Sequence, residues 1–392
     1  MLTLEDLPRL QDAIADAGVD GWLLYNFRGL NPIATGLLGL PGMLTRRIFA
    51  YIPREGRPVA ITHAIEQGPW AQWPAGWSRE VYSSWPDLEA HVARLVRGKT
   101  VAMEYSPGDA VPYLDRVPAG VLELVRAAGG IPVSSSDLVS RFYAVWTAAG
   151  LASHRRAAEH LARIAREAFR RAGASVRDGA ALAEHDVQRW ILAQFASAGL
   201  TTDHGPNVSA SEHAANPHYE PSPSAPRVLR QGDVLLIDLW AMEADGVYAD
   251  QTWMGTIGAP SERAQQVWTA VRDARDAALA LLKERIGTGA PVTGAEVDDA
   301  ARAVITSAGF GPQFTHRTGH SIDGRDLHGS GPNLDNLETR DDRRLLPGVA
   351  FSVEPGVYLA GELGVRSEVN CIVGDGELLI TPGDIQRDLF VV

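Results

Sequence analysis

Between residues 1 and 140, short apolar runs alternate with amphipathic stretches. Leu4, Leu7, Leu10 and Ile14 recur at helical spacing and stop at Gly18, which predicts a helix over 4–17. The runs 21–25, 47–52, 58–62 and 101–104 predict strands, the middle two separated by the turn Glu55-Gly56. Residues 87–96 and 113–128 carry helical patterns, the second interrupted at Pro118. Such alternation is the signature of an α/β domain. Helical patterns return over 153–172, 184–198, 261–283 and 294–308. In the first of these, the charges together with His154 and His160 read as a solvated face. Residues 146–152 read as a junction between domains.

The last two helices are separated from the first two by a β-hairpin, residues 234–255. Its first arm is the apolar run Val234-Leu235-Leu236-Ile237, its turn carries Asp245-Gly246, and its return arm is aromatic and β-branched. Asp238 and Asp250 sit in the arms, and a turn centred at Ala244 places them opposite or nearly opposite each other. Aspartate is depleted in strands, and two adjacent buried carboxylates are costly without a cation between them. Two further strand patterns, 349–358 and 364–373, place Glu354 and Glu368 equidistant from Gly361. This is a second pair of carboxylates facing each other across a glycine-containing turn. A polar loop at 213–226, with Asn216-Pro217-His218-Tyr219, precedes the first hairpin and is well placed to carry function. Six of the eleven histidines fall between 204 and 328.

With 392 residues, the chain is too long for one typical core, so two domains are expected. The net charge of −12 comes without a basic face, which argues against nucleic acid as a partner. The single cysteine, Cys371, excludes an intrachain disulfide and a thiolate zinc cluster, and its apolar surroundings predict a buried core residue. The N-terminal stretch lacks the basic start and apolar core of a leader, and no apolar run reaches spanning length. A cytoplasmic protein without membrane contact is expected. Four carboxylates and one imidazole make a hard, oxygen-rich site that suits Mn²⁺, Co²⁺, Fe²⁺ or Zn²⁺.

The ordered set Asp238, Asp250 (in Asp-Gln-Thr), His320 (in His-Arg-Thr-Gly-His), Glu354 (in Val-Glu-Pro-Gly-Val-Tyr) and Glu368 (in Gly-Val-Arg-Ser-Glu) resembles the methionine aminopeptidase/prolidase/creatinase superfamily of pita-bread metallopeptidases. The resemblance implies an α/β creatinase-like N-terminal domain over 1–145 and an α+β pita-bread catalytic domain over 150–392. It also implies two divalent metal ions, manganese foremost and cobalt, zinc or iron as substitutes. Asp238 would ligate one metal, Asp250 and Glu368 would bridge both, and His320 and Glu354 would complete the second. The nucleophile would be a hydroxide bridging the metals, with Glu354 as proton shuttle. His218 and His328 would contact the substrate and stabilise the oxyanion. Arg366 would order the site or meet the substrate carboxylate, and His316 would line a proline pocket. The implied activity is hydrolysis of the bond before proline, in dipeptides first, in a homodimer. The alternatives are an Xaa-Pro aminopeptidase acting on longer peptides and a metal-free creatinase-like amidinohydrolase.

The sequence departs from the family pattern in several places. The intervals Asp238–Asp250 and His320–His328 are each one residue longer than usual, and Ser321-Ile322-Asp323-Gly324 replaces a glycine-rich run. Gly329 and Trp253 stand where the family commonly has glutamate and arginine. These changes flank the expected substrate pocket, so peptide length and side-chain preference are where this chain should differ.

Overall fold

A computed structural model describes residues 3–42 and 44–392. Met1 and Leu2, the start of the N-terminal stretch read above, and Met43 lie outside the described residues. The chain divides into two compact units, Met1–Tyr143 and Ala144–Val392.

The first unit runs α1 (Leu7–Asp16), β1 (Gly21–Asn26), α2 (Pro32–Leu38), β2 (Ile48–Pro53), β3 (Val59–His63), β4 (Ser78–Tyr82), α3 (Trp85–Val96), β5 (Thr100–Met103), α4 (Ala119–Ala127), β6 (Ile131–Ser134) and α5 (Ser136–Phe142). Its strands form one mixed sheet in the order β4-β3-β2-β1-β5-β6. The central β1 is buried along its whole length, because alternate residues feed two cores. Trp22 and Leu24 pack with Leu10, Ile33 and Leu138 of α1, α2 and α5. Leu23 and Tyr25 pack with Leu88, Val92 and Val121 of α3 and α4. Leu4, counted above as helical, lies before α1 and is exposed.

The second unit begins with α6 (Ala148–Arg177) and α7 (Glu184–Ser197). Next come β7 (Leu200–Thr201), β8 (Asn207–Ala210), β9 (Val234–Glu243) and β10 (Ala249–Thr256), and then α8 (Glu262–Thr288) and α9 (Gly294–Ser307). It ends with β11 (Ala350–Val353), β12 (Gly356–Leu359), β13 (Leu363–Arg366), β14 (Val369–Val373), β15 (Leu378–Thr381) and β16 (Phe390–Val391). The β9–β10 hairpin lies at the centre of a sheet that also holds β7, β8 and β16. One face of β9, Leu235, Ile237, Leu239 and Ala241, packs on the alanine-rich stripe of α6 and on Val187, Ile191 and Phe195 of α7. Leu236 and Met254, on the other face, pack with α8, α9 and the C-terminal strands. That second face carries the chemistry.

Two sequence expectations need correction here. Residues 148–152 are not a junction but the first turns of α6, which starts on a Thr147 cap: its hydroxyl accepts from the Gly150 amide at 3.0 Å. His154 is not on the solvated face either. It extends the Ala157–Leu161–Ala165 stripe by one turn and is fully buried. Its Nδ1 lies 2.7 Å from the Tyr248 carbonyl and its Nε2 lies 2.6 Å from the Thr381 hydroxyl. Burial lowers its pKa to about 4 and so keeps it neutral.

Candidate active site

The hairpin register puts Thr252, not Asp250, directly across from Asp238, and pairs Asp250 with Trp240. The hairpin therefore centres on Asp245, whose φ is +56°, one residue beyond Ala244. Because Asp250 and Thr252 are two apart, the two carboxylates remain on one face as diagonal neighbours. Trp253 points the other way, stacked on Phe390 and under the Arg166 guanidinium. The departure from arginine at this position thus falls on the helix-packed face.

Glu354 and Glu368 fall on the pairing line shared by two short ladders. Val353 pairs with Val369 on one side, and Gly356 with Arg366 on the other. Between them the ladder opens at Glu354-Pro355 and Ser367-Glu368. Proline has no amide hydrogen to give the ladder. The freed amides turn outward: Glu354 donates to the Thr318 carbonyl at 2.7 Å, and Glu368 donates to the Thr252 carbonyl at 3.3 Å. Each predicted strand is therefore two strands, and the break brings both glutamates against β10 and the 318–320 segment.

The side chains converge there. His320 Nε2 lies 3.3 Å from Asp250 and 3.5 Å from Glu354. Donor atoms of Asp250, His320 and Glu368 all lie within 4.8 Å of one another. His320 Nδ1 faces the Ser321 carbonyl at 3.2 Å, which places its proton there and leaves Nε2 a bare lone pair toward the carboxylates. Ser352 links the set: its hydroxyl donates to Glu354 at 2.9 Å and accepts the His320 amide at 2.9 Å. Arg366 ion-pairs with Asp238 and donates to the Thr252 hydroxyl at 2.9 Å, and that hydroxyl donates in turn to Glu368 at 2.8 Å. His316 Nε2 lies 2.8 Å from the Tyr358 hydroxyl, which is 3.4 Å from Arg366.

Burial pushes Asp238 and Asp250 up to about 7 and Glu368 well above the carboxylate range, and neighbouring acids add to each shift. Burial acts on Glu354 in the same direction, but the charge of His320 when its ring is protonated, together with the Arg366 guanidinium, outweighs it and holds this acid below its ordinary value. Glu368 Oε1 is buried and has no hydrogen-bond partner. Four acids thus surround one buried guanidinium and a neutral imidazole, with a free carboxylate oxygen among them. That is a donor set short of positive charge, and it fits divalent cations.

His328 is exposed, with its ring edge-on to His320 at 4.2 Å. The altered loop before it is built on Asp323, a buried carboxylate that accepts from the amides of Arg325, Asp326 and Ser330. A Cβ at Gly329 would lie 2.7 Å from the Asp323 amide nitrogen. A side chain at 329 would press on the backbone and Cβ of residue 323, so the loop would have to shift to take a glutamate there. His218 is exposed on its loop, and among the described residues no hydrogen bond or ion pair joins its imidazole to the carboxylates. Sequence reasoning passed over Thr252, Ser352 and Tyr358. They sit within or beside the motifs that carry the candidate ligands, but a hydroxyl's partners are set by the ladder break, which the pattern does not reveal.

The profile of metallopeptidase family M24 matches residues 156–375. The probable dipeptidase PepE of Mycobacterium tuberculosis is 30% identical over 389 residues, covering 97% of this chain and 94% of the relative. The Xaa-Pro dipeptidase of Lactobacillus helveticus is 33% identical over 186 residues, 47% of this chain and 46% of that protein. The crystal structure of dipeptidase PepE from Mycobacterium ulcerans superposes with a TM-score of 0.73 at 26% identity, covering 99% of this chain and 97% of the other. Profile, full-length likeness and pita-bread fold agree: this chain belongs to metallopeptidase family M24.

Proposed function

We propose that the chain hydrolyses Xaa-Pro dipeptides, using two divalent metal ions, manganese foremost, held by Asp238, Asp250, His320, Glu354 and Glu368. The observation that carries this reading is the convergence of Asp250, His320 and Glu368 donor atoms within 4.8 Å, with Glu368 Oε1 unpartnered. Oxygen-rich ligation with one nitrogen suits manganese and admits cobalt, zinc or iron. When bound, the ions supply Lewis-acid polarisation of the scissile carbonyl and lower the pKa of the attacking water. Glu354, 3.9 Å from the Arg366 guanidinium, takes the proton of that water and returns it to the proline nitrogen, which leaves only once protonated. His328 and His218 are both exposed, so substrate can reach them, and they donate to the developing oxyanion. Arg366 orders the site by holding Asp238 and Thr252. His316, fixed by Tyr358, lines the proline side. The names of the relatives, dipeptidase and Xaa-Pro dipeptidase, support the dipeptide over longer substrates.

The test is hydrolysis of Ala-Pro and Ala-Pro-Ala after chelation and after adding back Mn²⁺, Co²⁺ or Zn²⁺. Metal-restored cleavage of the dipeptide alone is expected. Cleavage of the tripeptide would move the chain to the aminopeptidases, and cleavage of neither would sink the proline reading.

A further inference from the structure

We infer that Glu184, at the start of α7 and far in sequence from every proposed ligand, is the positioning residue for His218. The inference rests on the reading of His218 as a substrate-contacting group. Glu184 is 1% exposed, so its carboxylate must be satisfied from within the protein. All of its partners belong to the base or body of one loop. Oε1 accepts from the Ala210 amide at 2.7 Å, where the loop leaves β8. Oε2 meets His213 Nδ1 at 2.9 Å and accepts from the Tyr219 hydroxyl at 2.6 Å. The His213 and Tyr219 rings lie 4.4 Å apart over it. The Glu184 amide also donates to the Arg227 carbonyl at 3.1 Å, where the loop returns. One residue therefore gathers the beginning, middle and end of segment 210–227.

The two neighbours of His218 are held separately. Tyr219 is held by Glu184. The Pro217 carbonyl accepts from Asn207 Nδ2 at 3.3 Å, and Asn207 pairs directly with Asp238 across β8 and β9. The backbone on either side of an exposed imidazole is thus tied to buried groups, and one tie ends beside the strand position of a proposed ligand. Two anchored flanks fix where the His218 Cα stands and leave its ring free for substrate.

The test is a double-mutant cycle with Glu184→Ala and His218→Ala on Ala-Pro hydrolysis, alongside hydrogen exchange of the amides in 210–227. Glu184→Ala should lower kcat/KM by about 100-fold in the wild-type background, the scale of a misplaced catalytic group, and by less than about twofold once His218 is gone. Glu184→Gln, which keeps the volume and one acceptor oxygen, should recover most of the activity. Exchange across 210–227 should rise in Glu184→Ala alone. Tyr219→Phe removes a single contact and serves if Glu184→Ala does not fold; its loss should likewise vanish in the His218→Ala background. Equal losses in both backgrounds, or unchanged exchange, would overturn the inference. If His218→Ala itself leaves kcat/KM unchanged, the assignment of His218 falls, and exchange alone then decides whether Glu184 holds the loop.

Discussion

Asp298→Ala should cost the second unit both stability and its active-site register, although the residue touches no proposed ligand. Asp298 is fully buried on α9. It takes Arg302 in a two-pronged pair at 3.0 and 2.9 Å, the Thr318 amide at 2.9 Å, the Thr318 hydroxyl at 2.6 Å and the Asn336 amide at 3.2 Å. Arg302 in turn donates to the carbonyls of Phe314 and His316. The Ala variant leaves the guanidinium, 19% exposed, without its acid and three further donors without an acceptor. Removing one partner of a buried pair costs about 3–5 kcal/mol. At about 2–4 °C per kcal/mol for a unit of this size, that is a fall in Tm of roughly 10 °C. The Thr318 carbonyl is the acceptor of the Glu354 amide, so kcat/KM should also fall, by about 10-fold or more. Asp298→Asn keeps acceptors for Thr318 and should lie between. Calorimetry and Ala-Pro kinetics give both readouts. A Tm within about 2 °C of the wild type and unchanged kcat/KM would refute the claim that α9 carries the 314–320 segment by this carboxylate.

Asp238 and Asp250 rise from 3.8 unfolded to about 7 folded, so between these values the folded chain holds more protons than the unfolded one. The chelated protein should therefore lose stability as pH rises from about 4 to about 7, and added Mn²⁺ should reverse the trend; urea titrations that show stability rising over this window would contradict it. His154 has the opposite sign: its pKa falls from 6.5 to about 4, so its contribution is present above 6.5 and lost as pH falls toward 4. His154→Gln should flatten that acid-side decline in the metal-loaded protein, measured by thermal unfolding. Tyr358→Phe removes the hydroxyl between His316 and Arg366 and should lower kcat/KM about tenfold at a stability cost of about 1 kcal/mol. At Gly364→Ala, the new Cβ would lie 1.8 Å from the Ala214 carbonyl oxygen. That variant should push the 211–215 segment off β13 and raise KM for Ala-Pro more than it lowers kcat.

Much of the candidate site's geometry could be read from the sequence because its carboxylates obey local rules. A strand has period two, so carboxylates placed symmetrically about a turn must share a face, and Glu354 and Glu368 do lie on one pairing line about Gly361. The hairpin centre was displaced by one residue because Asp245, not Ala244, takes the turn conformation. The opening of the second ladder at Pro355 could not be seen, although it is what aims both glutamates. His154 was misread because a polar residue continuing an apolar stripe looks the same on paper whether its partners are water or, as here, a carbonyl and a hydroxyl from distant segments. Elements α2, β4, β6 and α5, like β7, β8 and β16, carry no pattern that marks them. They are short, and β4 is an edge strand whose polar residues, Arg79 and Glu80, need no alternation. Membrane contact was not expected, and among the described residues no helix is long and apolar enough to cross a bilayer.

If Asp238, Asp250, His320, Glu354 and Glu368 hold metal, the most direct measurement counts it. Wild-type protein and Glu368→Ala are dialysed against Mn²⁺, and bound metal per chain is read by elemental analysis together with Ala-Pro turnover. Two ions in the wild type, loss of at least one in the variant and loss of turnover with it are the expected result. Turnover by a chelated, metal-free chain, or full metal retention by Glu368→Ala with unchanged activity, would contradict the account.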